Sequence, residues 1–158
     1  MALITDLNQH ILAIADETNI PVSRLHLDRV LYNTLLFALA KDEFTIDDLE
    51  EGYEDNPFFI SRYGHDLLSN RFDYIAYGSS PILERGVYQR QFQILDKVIE
   101  HYLNMNPFIL CEEELNTPSY QKLYPKYKDY KDDRDYFINS NLQFNLTDIE
   151  DDAENLDV

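Results

Sequence analysis

Apolar residues recur at helical spacing through most of this chain. Leu3, Leu7, Ile11 and Ile14 form one stripe and predict a first helix over Leu3–Glu17. His10 falls beside the stripe and reads as a partly exposed histidine. The sequence Thr18-Asn19-Ile20-Pro21 closes the helix, and Ser23 caps the next one. Leu27, Val30, Leu31, Leu35 and Ala38 then make one face of a helix over 25–41. Leu36, Phe37 and Leu39 make its other sides apolar too, so this is the expected buried core helix. Asp28, Arg29 and Asn33 interrupt the run, which is also too short to span a membrane.

Thr45 and Asp48 have the spacing of a capping box before one short helix, with Ile46 and Leu49 inward and Gly52 at its end. Asn56-Pro57 signals a turn, and Phe58-Phe59-Ile60 a short extended segment. Over 62–82 the pattern predicts turn, helix, turn. Gly64 opens it. Leu68, Phe72, Ile75 and Ala76 share one helical face. Gly78 and Pro81 end it. Tyr88, Phe92, Leu95, Ile99 and Tyr102 predict a helix over 83–104, with Gly86 marking a start just after it. Asn106-Pro107 and Thr117-Pro118 are cap-then-proline starts of two more helices. Phe108, Cys111 and Leu115 face inward on the first. Tyr120, Leu123, Tyr124 and Tyr127 share a side of the second. Residues 124–136 alternate Tyr with Lys and Asp; this reads as a solvated helix end or linker rather than as a stacking surface for single-stranded nucleic acid, because Asp129, Asp132, Asp133 and Asp135 cancel the basic charge. Leu142, Phe144 and Leu146 alternate with polar residues in an extended segment. Asp148 onward reads as a disordered acidic tail.

These elements define a mainly α protein. One compact helical domain of five or six helices occupies residues 1–136, with at most a small extended pair. Residues 137–158 are the extended segment and acidic tail. A length of 158 residues suits one domain. The formal net charge of −17 speaks against direct nucleic-acid binding and for a basic partner. Four glycines leave no room for a glycine-rich phosphate loop. The lone Cys111 permits no internal disulfide and reads as a core thiol. The first residues do not read as a signal peptide, and no run is long enough to cross a membrane, so a cytoplasmic location is expected.

Chemistry is sparse. No nucleophile elbow, metal-binding pair or phosphate-binding motif occurs. His10, His26, His65 and His101 are scattered, and Glu112-Glu113-Glu114 reads as a solvated face. No catalytic residue, metal ligand or cofactor is expected. His65 and Asp66 beside Tyr63 are the best polar candidates.

The motif Tyr63-Gly64, an aromatic helix, and then Tyr77-Gly78-Ser79-Ser80-Pro81-Ile82 resembles the signature of the Panacea antitoxin domain, also described as SocA-like or phage-associated. The stretch 30–39 resembles that family's leucine-rich helix, and the likeness extends over about 27–127. His65 stands where a proline is common in the family. Leu115-Asn116 replaces a Thr/Ser-His pair, and Tyr120 a tryptophan. The segment 43–58 is longer than its family counterpart. The resemblance implies a non-catalytic protein-binding module that neutralises a partner toxin or delivers it to a protease. Tyr63, Gly64, Phe72, Tyr77, Gly78 and Pro81 would be its structural motif. Arg62, His65, Asn70, Arg71 and Tyr74 would stand outward as the partner-binding surface. Two other readings remain: an acidic inhibitor that mimics nucleic acid, and an enzyme whose site assembles only in space.

Overall fold

The computed structural model describes residues 2–74 and 80–156. The expectations for Ile75, Ala76, Tyr77 and Gly78 lie outside the described residues. Among the described residues the protein is mainly helical, with seven α-helices and one two-stranded sheet. The helices are α1 (Leu3–Glu17), α2 (Arg24–Ala40), α3 (Leu68–Asp73), α4 (Asp96–Leu103), α5 (Pro107–Leu115), α6 (Pro118–Tyr127) and α7 (Leu146–Glu154). The strands are β1 (Phe58–Ser61) and β2 (Gly64–Leu67). None of these helices is long and apolar enough to cross a membrane.

The second helix is the axis. The Ser23 hydroxyl accepts the His26 N–H at 3.1 Å and starts it. Leu27, Val30, Leu31, Leu35 and Ala38 are then wholly buried, and Leu36 nearly so. It packs against α1, α4, α5, α7 and β2. An all-apolar circumference is what a helix surrounded on every side requires. The predicted polar interruptions sit inside the protein: Asp28, Arg29 and Asn33 are all buried. Leu7, Ile11 and Ile14 of α1 join the core as expected. His10 does not lie on the surface. It is fully buried, with Nε2 2.7 Å from Asp96 Oδ1 and Nδ1 accepting the Gln89 N–H at 2.8 Å.

Thr45 and Asp48 do form a capping box around a short 3₁₀ turn, Ile46–Leu49. The stretch that follows departs from expectation. The strands pair antiparallel, Phe58 opposite Leu67 and Ser61 opposite Gly64, around an Arg62-Tyr63 turn. The helix therefore starts at Leu68 rather than at Gly64. The cause is α2, whose buried polar side chains capture the backbone of β2. Asp28 Oδ1 accepts the Leu67 N–H at 3.1 Å, and Arg29 Nη2 donates to the His65 carbonyl at 2.7 Å. Gly64 has φ +139°, and a Cβ there would stand 2.3 Å from Arg29 Nη1. Glycine is needed here for both conformation and space. Phe72 is not on a buried face but 61% exposed.

The predicted helix over 83–104 is also divided. Residues 80–89 run without helix as a strap along α1. Ile82 N–H donates to Val22 O at 2.8 Å and Val87 N–H to Gln9 O at 3.1 Å. Gly86 has φ +67°, and a Cβ there would meet Gln9 O at 2.3 Å. Pro81 bridges to Ser23. A 3₁₀ turn, Arg90–Leu95, then leads into α4. Phe92, Leu95 and Ile99 are buried as their spacing predicts, while Tyr88 stays exposed. Helices α5 and α6 begin at the two predicted cap-then-proline sites, the first with Asn106 accepting Phe108 N–H at 2.9 Å. Phe108 points outward, and Leu110 takes the inner face with Cys111.

Over Leu146–Glu154 the acidic segment is a helix rather than a disordered tail. Asn145 and Asp148 close a capping box that starts α7, and Ile149, Asp152 and Ala153 are buried. Before it, Phe144 N–H donates to Phe58 O at 2.9 Å, and Tyr53 O–H donates to Phe144 O at 2.6 Å. Most acidic side chains of α7 face water, which is how one amphipathic helix can carry so many. Ile149→Ala should lower the unfolding free energy by about 2–4 kcal/mol, read from urea denaturation. A disordered tail would leave the midpoint unchanged.

Candidate functional site

The charged residues inside α2 seed a polar cluster that draws in six other elements, α1, β2, α3, α5, α6 and α7. Arg29 has no exposed surface. Its Nη2 donates to Asp66 Oδ1 as well as to the His65 carbonyl, and its Nε lies 3.2 Å from Glu114 Oε2. Burial works against the Arg29 charge, but at the high pH where a guanidinium titrates the ionised Glu114, Asp66 and Asp28 outweigh it, so Arg29 stays protonated. Asn33 Nδ2 donates to Glu114 Oε2 at 3.1 Å, and the His65 N–H donates to Glu114 Oε1 at 2.9 Å. A second arm runs toward α1. Asn70 Nδ2 donates to Asp28 Oδ1 at 2.8 Å, and Asn8 Nδ2 to Asn70 Oδ1 at 2.8 Å.

His65 stands at the centre, fully buried. Its ring stacks on Tyr32 with centroids 3.6 Å apart and planes 3° apart, and Phe144 covers it at 4.2 Å. Nδ1 is 2.9 Å from Glu114 Oε1, and Nε2 is 2.7 Å from Ser119 Oγ. Serine, histidine and carboxylate in this order have the connectivity of a hydrolytic triad. The hydrogens run the other way. Ser119 O–H donates to Asp152 Oδ2 at 2.5 Å, beside Tyr32 O–H, which donates to the same oxygen at 2.5 Å. Ser119 N–H occupies Oδ1 at 2.9 Å. Having given its one hydrogen to Asp152, Ser119 Oγ can only accept from His65 Nε2–H. Nδ1 is then bare and must accept, which requires a proton on Glu114. Burial independently pushes the Glu114 carboxyl up, to about 8, despite Arg29 and the His65 N–H, which favour its ionised form. Burial also pushes His65 down, to about 3, so the ring is neutral. In this tautomer His65 cannot take the Ser119 proton, so it is no general base toward that hydroxyl.

The cluster is closed as well as reversed. His65, Glu114, Ser119 and Asp152 are at most 3% exposed. Cys111 nearby is buried, and burial pushes its thiol up, away from the reactive thiolate. Among the described residues no group of His, Cys, Asp and Glu is arranged to hold a metal ion.

The expected outward surface is therefore largely internal. His65 and Asn70 are in the cluster, and Tyr74 is 4% exposed, its hydroxyl accepting Gln9 Nε2–H at 3.0 Å. Arg71 is half-buried, with its guanidinium 4.2 Å from the Phe137 ring centroid. Only Arg62 stands free, on the β turn beside Tyr63. Glu114 does not belong to a solvated face, although Glu112 and Glu113 do. Tyr32, Ser119 and Asp152 escaped the sequence reading as site residues, and Arg29 entered it only as an interruption of the apolar run. One signal was available: Asp28, Arg29 and Asn33 interrupt a helix apolar on every side, and buried charges need partners. No family model, curated protein or solved structure matches the chain.

The cluster gives stability a defined pH dependence. Between 4.5 and about 8 folded Glu114 holds a proton that the unfolded chain has lost, so stability falls as pH rises through that window. Asp28, also pushed up by burial and then by Asp66, acts in the same direction. Between 6.5 and about 3 the unfolded chain protonates a histidine that folded His65 leaves neutral, so stability falls as pH drops. The melting temperature should peak between pH 4.5 and 6.5, where the two effects oppose each other. Glu114→Gln should flatten the alkaline side of that curve and leave the acid side in place. A variant curve parallel to the parent's would show that Glu114 is ionised in the folded protein.

Proposed function

We propose that this protein acts by binding another protein and performs no chemistry of its own. The observation that carries this reading is the strap over 80–89 and the 3₁₀ turn after it. Its backbone is tied to α1, yet its large apolar side chains face water: Leu83 is 87% exposed, Val87 57% and, in the turn, Ile94 67%. A fixed backbone that displays apolar side chains binds without a large ordering cost. The polar side chains able to do chemistry are, by contrast, sealed in the cluster and polarised in the wrong direction for a hydrolase. The net charge of −17 favours a basic partner and quickens its approach more than it tightens the complex. The resemblance to Panacea antitoxins supports a toxin as that partner, encoded in an adjacent reading frame and neutralised by the complex.

Co-expression with the adjacent reading frame tests this. The expected result is a product that arrests growth alone, is tolerated with this protein, and co-purifies with it. Leu83→Glu combined with Ile94→Glu should weaken the complex at least tenfold without lowering the melting temperature, since both side chains are solvated. A harmless product that forms no complex overturns the antitoxin reading and favours an acidic inhibitor of a nucleic-acid-binding protein.

A further inference from the structure

We propose that the cleft between the β1–β2 turn and α6 is a binding site for a nucleoside monophosphate. The cleft has a volume of about 610 Å³ and is lined by Arg62, Tyr120, Gln121, Tyr124, Lys131 and Asp132, among others. That volume lies in the range of small-molecule sites.

Its aromatic wall is built to stay in place. Tyr120 is 4% exposed, and its hydroxyl donates to Ser61 O at 2.9 Å, tying α6 to the turn. Tyr124 lies against it, ring centroids 5.8 Å apart and planes 27° apart. Tyr127 lies tilted against Tyr124, ring centroids 6.2 Å apart and planes 60° apart, and is itself buried. Tyr124 alone of the three is open, at 41% exposure. A supported ring with free surface is a stacking platform for a planar base.

The charge around this platform runs against that of the whole protein. The chain has 13 Lys and Arg against 30 Asp and Glu. Lining the cleft, two of those cations, Arg62 and Lys131, stand against one acid, Asp132. Neither Arg62 nor Lys131 forms an ion pair with a described residue. A net charge of −17 repels a polynucleotide, whose phosphates extend across the surface. A mononucleotide presents one phosphate, and Arg62 and Lys131 can meet it locally while its base lies on Tyr124. Asp132 opposes the phosphate and limits the affinity. Stacking on tyrosine does not distinguish bases, so the site should accept all four.

Titration of the ¹⁵N-labelled full chain with AMP, CMP, GMP and UMP tests the proposal. The expected result is saturable shifts of Arg62, Gln121, Tyr124 and Lys131, with affinities for the four within about threefold. Adenosine and inorganic phosphate should each bind at least tenfold more weakly than AMP. Tyr124→Ala should weaken AMP binding at least about fivefold, and Arg62→Ala should reduce its salt dependence. Asp132→Asn should tighten binding, a gain that misfolding cannot produce. The proposal is overturned if no nucleotide gives saturable shifts, or if the shifts fall outside the cleft. It is equally overturned if O-phosphotyrosine binds and none of the nucleotides does.

Discussion

The fold depends on keeping one guanidinium out of water. Arg29 has no exposed surface, and a bare charge in that position would cost far more than a domain's net stability. Its partners come from β2 and α5: the His65 carbonyl, Asp66 and Glu114. Each partner fixes the element that carries it, so a solvation demand becomes a set of positions. The short sheet is the clearest case. Two four-residue strands are marginal alone, and here the backbone of β2 is held by Asp28 and Arg29 from the neighbouring helix. Apolar burial supplies most of the driving force, while the charged hub specifies which surfaces meet.

The same hub explains why a serine beside a histidine need not mean catalysis. Triad chemistry requires an acceptor nitrogen facing the hydroxyl and space for a substrate. Asp152 removes the first by taking the serine's hydrogen, and the Tyr32 and Phe144 rings remove the second. What is left is a line of four groups, Glu114, His65, Ser119 and Asp152, joined by hydrogen bonds. The proposed binding rests on the outer surface, on the apolar strap and the tyrosine wall.

Helices whose register was set by apolar spacing were legible in the sequence. The stripes of α1 and α2, the Thr45 capping box and the two cap-then-proline starts all act through contacts within a few residues. The errors arose where distant partners decide. Leu68 and Phe72 have helical spacing, but the preceding four residues are extended because α2 holds their backbone. Residues 83–89 fall within the predicted helix, but the Gly86 conformation and a hydrogen bond to the backbone of α1 hold them out of it. His65 was singled out as a polar candidate, yet its burial depends on Glu114 and Ser119, 49 and 54 residues away. Asp152 was hidden by its neighbours, since nothing in a run of acids distinguishes the one that faces inward.

The bond from Tyr32 to Asp152 spans 120 residues and has a consequence in time. A ribosome adds about 5–20 residues per second, so the two partners are made on the order of ten seconds apart. Throughout that interval α2 exists while the acceptor for its tyrosine, and the Phe144 ring that covers His65, do not. The hub cannot close around an unfinished chain, because Asp28 and Arg29 would be taken from water with part of their enclosure missing. Nascent protein must therefore wait in an open form, its most apolar helix unprotected. During synthesis, that exposed helix is where chaperones or proteases would find their hold.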